Sequence, residues 1–259
     1  MTAFFPSLRS RCWAPALSVL SLCGAAAAPL RELSTDRPDT TESPHTVDAG
    51  HFQFELEIAA WEHAGGRRTL NLGELNLKAG LDEATDLQLV LPLFTRAHGG
   101  SEGFGDIEVR LKHNLWGNDD GPTAFALMPY LKLPTAQEDL GNGKWEGGLI
   151  VPLAFSLPRE WGGGVMTQID LAADAAGHGY HAVFVNSITA SHDLLCGTAF
   201  FLEVVSVLST EDGADDEAYF NAGITWAFRP HWQLDGGIRT GLTAASADFT
   251  PFLGLSAKF

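Results

Sequence analysis

The chain has 259 residues, with 16 Lys and Arg against 32 Asp and Glu, giving a formal net charge of −16 at pH 7. A balance this acidic argues against nucleic acid as a partner and against adhesion to anionic lipid surfaces. Of the three cysteines, Cys12 and Cys23 stand near the start and Cys196 is alone, which excludes a disulfide framework and a cysteine metal site.

Arg9 and Arg11 precede the apolar run Trp13–Cys23, which leads into Gly24 and four alanines. A basic start, a short apolar stretch and a small-residue exit predict a signal peptide over residues 1–28, cleaved within Ala26–Ala28. The run is shorter than the roughly 20 residues of a membrane-spanning helix. Leu22 occupies the place where a lipoprotein anchor at Cys23 wants a small residue. Cleavage removes two basic residues and no acidic one, so the exported chain carries a net charge of about −18. No later segment reads as a helical span, so residence in a membrane has to come from strands.

Residues 29–49 contain the polar stretch Ser34–Pro44, with two prolines and no apolar period, and are predicted to be neither strand nor helix. This segment is expected on the periplasmic side, beside the mouth of a barrel formed by residues 50–259. Its Asp36, Arg37, Asp39 and Glu42 carry both signs, and the segment is long enough to reach into a lumen as a latch. A solvated tail is the alternative.

From residue 50 to Phe259 apolar residues recur on alternate positions in about twelve segments of about ten residues each. Leu87, Leu89, Leu91 and Leu93 form one such row; Leu149, Val151, Leu153 and Phe155 form another. Connections at Asp82–Thr85, Gly117–Gly121, Pro158–Gly162, His192–Leu194 and Arg229–His231 are tight. Those at His63–Arg68, Thr95–Gly103, Pro134–Glu146, Ala173–Gly179, Ser209–Glu217 and Thr243–Asp248 are mostly longer. Trp116, Trp161 and Trp232 fall at the tight turns, and Trp61 and Trp145 near the opposite ends, as two aromatic girdles would. Alternation, alternating loop lengths and girdles together predict an all-β fold: a transmembrane, antiparallel up-and-down β-barrel of about 12 strands with both termini periplasmic.

The opposite parity faces the lumen and interleaves charges of both signs. Glu55 and Glu57, Arg110, Lys132, Asp235 and Arg239 are its candidate solute contacts, together with the four N-terminal residues named above. Gln53, Asn76, Lys78, Gln88, Asp106, Glu108, Lys112, Tyr130, Asp170, Glu203 and Lys258 share that face. Charges of opposite sign in such an interior brace the wall in pairs. Arg37 is expected to pair bidentately with Glu55 or Glu57, and Asp36 or Asp39 with Arg110 or Lys132.

Two irregularities stand out. Leu70 and Leu72 lie on even positions, whereas Leu75, Leu77 and Ala79 lie on odd ones, so a bulge is expected near Gly73 and Glu74. Pro92, Pro129, Pro152 and Pro251 sit inside strand segments and remove ladder donors. In Tyr180–Ser191 either parity suits the lipid.

Thr35-Asp36-Arg37-Pro38-Asp39, Thr41-Glu42-Ser43-Pro44, Val47, Gly50 and Gln53-Phe54-Glu55 resemble the opening of outer-membrane proteins of the MetA-pathway of phenol degradation family. Gly103–Ile107, Leu131–Thr135 and the stretch from Gln233–Gly237 to Phe259 are similar to that family too. The resemblance implies a twelve-stranded outer-membrane barrel and a transport role, without a defined substrate or catalytic residues. At the first tight turn family members continue Thr-Asp with a basic residue, whereas Thr85-Asp86 here runs into Leu87.

The function expected is a transporter or channel in the outer membrane of a Gram-negative-type bacterium, for a small solute of hydrophobic or aromatic character. Its partners are outer-membrane lipid, the solute, and the barrel-assembly machinery through the aromatic terminal residue Phe259; no cofactor or metal is expected. The alternatives are a structural barrel with an occluded lumen and a lipid-modifying enzyme. Ser191, His192 and Asp193 are consecutive, so on a strand Ser191 and His192 point to opposite faces and make no simple dyad. His178 and His181 are the one close histidine pair and read as part of a loop.

Overall fold

A strand with one apolar and one polar face is stable only when each face meets its own medium, and closure leaves no unpaired edge. The computed structural model describes residues 30–97, 99–137 and 140–259; the predicted signal peptide lies outside them. Its strands are β1 (Phe52–Ala64), β2 (Arg67–Asp82), β3 (Thr85–Ala97), β4 (Glu102–Gly103), β5 (Ile107–Trp116), β6 (Thr123–Leu133) and β7 (Glu146–Leu157), followed by β8 (Trp161–Ala173), β9 (Tyr180–Asp193), β10 (Thr198–Ser209), β11 (Glu217–Arg229), β12 (Trp232–Gly241) and β13 (Phe249–Lys258). Twelve of these make the wall of a closed antiparallel barrel; β4 is a two-residue addition paired with the end of β3. Each wall strand pairs with its neighbours in sequence, and β1 closes the barrel against β13. Phe52 and Phe259 exchange two backbone hydrogen bonds, of 3.1 and 2.8 Å, at the end of that seam.

The end that carries Phe52 and Phe259 also carries the turns after β2, β5, β7, β9 and β11; the other end carries the remaining connections. We call these the turn end and the loop end. The connection expected over His63–Arg68 shrinks to Gly65 and Gly66, whose φ of 54° and 82° suit a two-residue hairpin only glycine adopts freely. The strands β1 and β2 therefore rise beyond that expectation.

The phase break falls where the leucines place it, at Gly73 with φ 73°. Glu57 pairs with Glu74 and Ala59 with Leu72, while Glu74 pairs with Pro92 and Leu72 with Phe94. The out-of-phase residue is thus shared across β1, β2 and β3, their mutual register is kept, and the shift appears between β1 and β13. The prolines coincide with gaps in pairing. The β3–β5 ladder stops short of Pro92, β5–β6 skips Pro129, β6–β7 skips Pro152 and β1–β13 skips Pro251.

Burial alternates along the strands. Gln88 is fully buried and Leu87 and Leu93 are exposed; on β9, Ser187 is buried and Ile188 is 55% exposed, which settles the facing of that strand. The outward face is the lipid-facing one. Leu89→Arg, placed on that face in mid-strand, is expected to lower stability by about 2–4 kcal/mol, read as a lower urea midpoint for the folded, heat-modifiable barrel than for Leu89→Ala. Equal midpoints for the two variants would invert the facing.

Candidate functional site

Irregular backbone at membrane depth survives only where its N–H groups find partners within the protein. Residues 31–48 lie in the lumen, bonded to the inward side chains of the wall. Three wall carboxylates take the backbone donors. Glu55 accepts from the N–H of Asp36 and of Arg37 at 2.9 and 3.0 Å. Glu203 accepts from Thr40 and Thr41 at 2.9 and 2.7 Å, and from the Thr41 hydroxyl at 2.6 Å. Asp86 accepts from Val47 at 3.0 Å. Consecutive amides that converge on one carboxylate form an anion nest, so each glutamate fixes two residues of the segment.

The charged side chains of the segment answer the wall in turn. Asp36 forms ion pairs with both Lys78 and Lys112, and Lys78 also pairs with Glu55. Arg37 sets its fork on Asp235, at 2.8 Å from Nη2 and 3.4 Å from Nε, and reaches Glu57 with Nη1 at 3.1 Å. Arg239 meets the same Glu57 oxygen at 2.8 Å, and both guanidinium groups lie over the Phe252 ring. Gly254 leaves room for Arg37, because a Cβ there would strike the guanidinium. Glu42 pairs with Arg110 at 2.8 Å, and Arg110 is shared with Glu108. Asp48 ends the segment between Lys258, at 2.9 Å, and Arg31, at 3.0 Å.

These contacts correct the expected pairing. The bidentate partner of Arg37 is Asp235 rather than Glu55 or Glu57, because the Glu55 carboxylate is occupied by backbone amides and Lys78. Asp36 meets Lys78 and Lys112, not Arg110 or Lys132. Lys132 pairs with Asp106 and Glu146 towards the loop end and takes no part in holding the segment. Among the described residues Asp39 forms no ion pair; Glu203 and the Thr189 hydroxyl are its neighbours. Lys78, Lys112, Glu203 and Asn221, whose inward parity is read from the sequence without a role in the site, complete it together with Asp86, which the same parity marks as inward.

Several cavities border the segment, and two of them flank Asp39 and Glu42. One, of about 290 Å³, lies between the segment and β6–β9 towards the turn end. The other, of about 260 Å³, lies on the loop side, lined by Arg37, Glu74, Asn76, Arg110 and Arg239 among others. Apart from the lumen, one set of ligating groups converges among the described residues. His181 Nδ1 is 3.0 Å from Asp174 and Nε2 is 3.9 Å from Glu211, so His181 ties two loop-end connections together. Its partners are thus carboxylates from two loops rather than the nearby His178.

A closed antiparallel twelve-stranded barrel with an apolar outer face has the architecture of outer-membrane β-barrels. An outer-membrane channel of Pseudomonas putida F1 superposes with a TM-score of 0.62 at 16% identity, over 87% of this chain and all of that one. The NanC porin gives 0.60 at 9% identity, over 80% of this chain and all of the porin. No curated protein matches in sequence. The family described as "Putative MetA-pathway of phenol degradation" matches residues 35–259, and the chain belongs to it.

Arg37→Ala is expected to cost about 3–5 kcal/mol, since it leaves Asp235 buried without its partner, and to lower the thermal midpoint accordingly. The pH dependence has a definite sign. Asp39 and Glu42 belong to the segment and not to the spanning strands. Burial, then the Glu203 carboxylate, pushes Asp39 up to about 8. Burial, then Asp36, pushes Glu42 up to about 8 against the pull of Arg110. A carboxyl raised in this way binds its proton more tightly docked than free, so docking weakens as pH climbs towards 8. His45 is shifted down by burial and Lys112 and acts in the opposite sense, but only below its ordinary value of 6.5. Asp48, held at about 2, does not titrate in this range. Thiol labelling of Ser43→Cys in a Cys196→Ser background is therefore expected to accelerate between pH 6.5 and 8, after correction for thiolate fraction.

Proposed function

We propose that the protein is exported to the outer membrane of a Gram-negative-type bacterium and works there as a channel for a small hydrophobic or aromatic solute. In this reading residues 31–49 act as a latch on the periplasmic side. The observation that carries it is the balance between occupation and space. Charge pairs and amide nests hold the segment across the lumen, yet cavities of about 290 and 260 Å³ persist on either side of it. A barrel meant only to be a solid wall has no use for open space beside its polar insert. The aromatic character of the solute is supported by the family's name and by Phe201, Phe252 and Tyr130 on the inward face. An enzymatic role finds less support, because His192 packs against Trp161 with ring centroids 4.9 Å apart on the outward face, while Ser191 lines the lumen cavity.

Phe259 is the proposed signal for the assembly machinery. It also closes the barrel through Phe52 and packs on Phe54 and Trp232, with ring centroids at 6.2 and 5.7 Å. Deletion of Phe259 is expected to leave unassembled protein in the periplasm, read by cell fractionation.

Single-channel recording of the refolded protein tests the channel reading. The native chain is expected to conduct weakly, and removal of residues 31–49 to raise conductance several-fold while lowering the melting temperature. Unchanged conductance in the truncated protein would favour a structural barrel.

A further inference from the structure

The bonds that hold the N-terminal segment are unevenly distributed around the wall. Strands β1, β2, β3, β5, β10, β11, β12 and β13 all supply charged or amide partners. Among the described residues no hydrogen bond links the segment to β6 or β7, and β8 offers only Met166 Sδ, 3.4 Å from the Glu42 N–H. The buried inward side chains on that side are small or apolar: Ala124, Ala126 and Met128 on β6, Ile150 and Pro152 on β7, Met166 on β8; the polar ones, Tyr130, Lys132, Glu146, Gln168 and Asp170, lie towards the loop end and bond among themselves. Charged groups hold one side of the segment, and an uncharged seam runs along the other.

The seam leads somewhere. The turn-end cavity lies along it, and the loop-side cavity opens beyond it; Asp39 and Glu42 line both. On the wall side Met128, Ile150 and Met166 pack together with Tyr130 and Val185, and Met166 Sδ meets the Glu42 N–H. Glu42 is anchored by one oxygen, Oε1, on Arg110. Its other oxygen, Oε2, is buried and has no partner among the described residues. A buried carboxyl oxygen left unpaired there is expensive unless something that passes can bond to it.

We propose that solute crosses the occupied barrel off its axis, through the seam between the N-terminal segment and β6–β8, and that Glu42 and Met166 form its constriction. The solutes this site fits are small and uncharged and carry a hydroxyl that can exchange a hydrogen bond with Glu42 Oε2. An anion would have to give up water beside Glu203 in a low-dielectric gap, and the cations that line the loop-side cavity, Arg37, Arg110 and Arg239, are each already paired with carboxylates. This inference rests on the channel reading above but makes a separate claim about route and selectivity.

Swelling of proteoliposomes in isosmotic arabinose tests it, with arabinonate, the same sugar oxidised to a carboxylate, as the charged probe. Native protein is expected to admit arabinose several-fold faster than arabinonate. Met166→Ala and Glu42→Ala should each speed arabinose entry a few-fold, and Met166→Trp should slow it. Glu42 lies outside the wall, so its variant keeps the barrel closed even where a tryptophan at 166 impairs folding. If removing residues 31–49 accelerates swelling while Glu42→Ala and Met166→Ala stay at the native rate, the seam is wrong and the channel reading stands. Equal rates for the two probes would overturn the uncharged class. If truncation itself changes nothing, both readings fall together.

Discussion

Every part of this lumen answers to one constraint: a stretch of chain without secondary structure lies at membrane depth, and its amides must be satisfied there. Water cannot be relied on in a crowded interior, and the segment makes no ladder of its own. The wall therefore carries buried carboxylates at Glu55, Glu203 and Asp86, each aimed at backbone N–H groups. Those anions in turn need cations, which is where Lys78 enters, and Asn221 adds an amide donor at 2.7 Å to Glu203. Removing any one partner would strand the others, so the network is more sensitive than a surface ion pair.

The wall is shaped for the same task. Glycines 80 and 254 occur where the segment comes closest to β2 and β13; a side chain at either would collide with Asp48 or Arg37. The phase break at Gly73, shared by β1, β2 and β3, lets these strands show carboxylates and amides inward below it while their outward leucines resume above it. A bulge in a single strand would have broken its register with both neighbours. Spreading it over three confines the mismatch to the β1–β13 seam.

The uneven grip has a functional consequence. A segment bonded all round would seal the lumen, whereas one bonded by charges on one side leaves the neutral side as the weakest barrier. There the contacts are dispersion contacts of Met and Ile and one thioether bond, which yield at far lower cost than a buried ion pair. Conductance and selectivity can then be set by different residues: Asp36 and Arg37 by holding the segment, Glu42 and Met166 by bordering the gap.

The two-residue period determined most of the fold by itself. Alternation can be read locally, because a strand's two faces are fixed by its backbone, so the twelve wall strands, the facing of Leu87–Leu93 and the break at Gly73 come directly from the residues. The first loop-end turn is shorter than its polar neighbours suggest, because two glycines suffice to close the hairpin. The inward parity of Glu55, Lys78, Lys112 and Glu203 was equally legible. What parity cannot supply is partnership. Asp36 and Lys112 are 76 residues apart and Arg37 and Asp235 are 198 apart, so which charge meets which depends on how the barrel closes and how deep the segment sits. Only the tertiary structure assigned Glu55 to backbone amides, which displaced Arg37 to Asp235, and only it left one side of the segment without a charged partner.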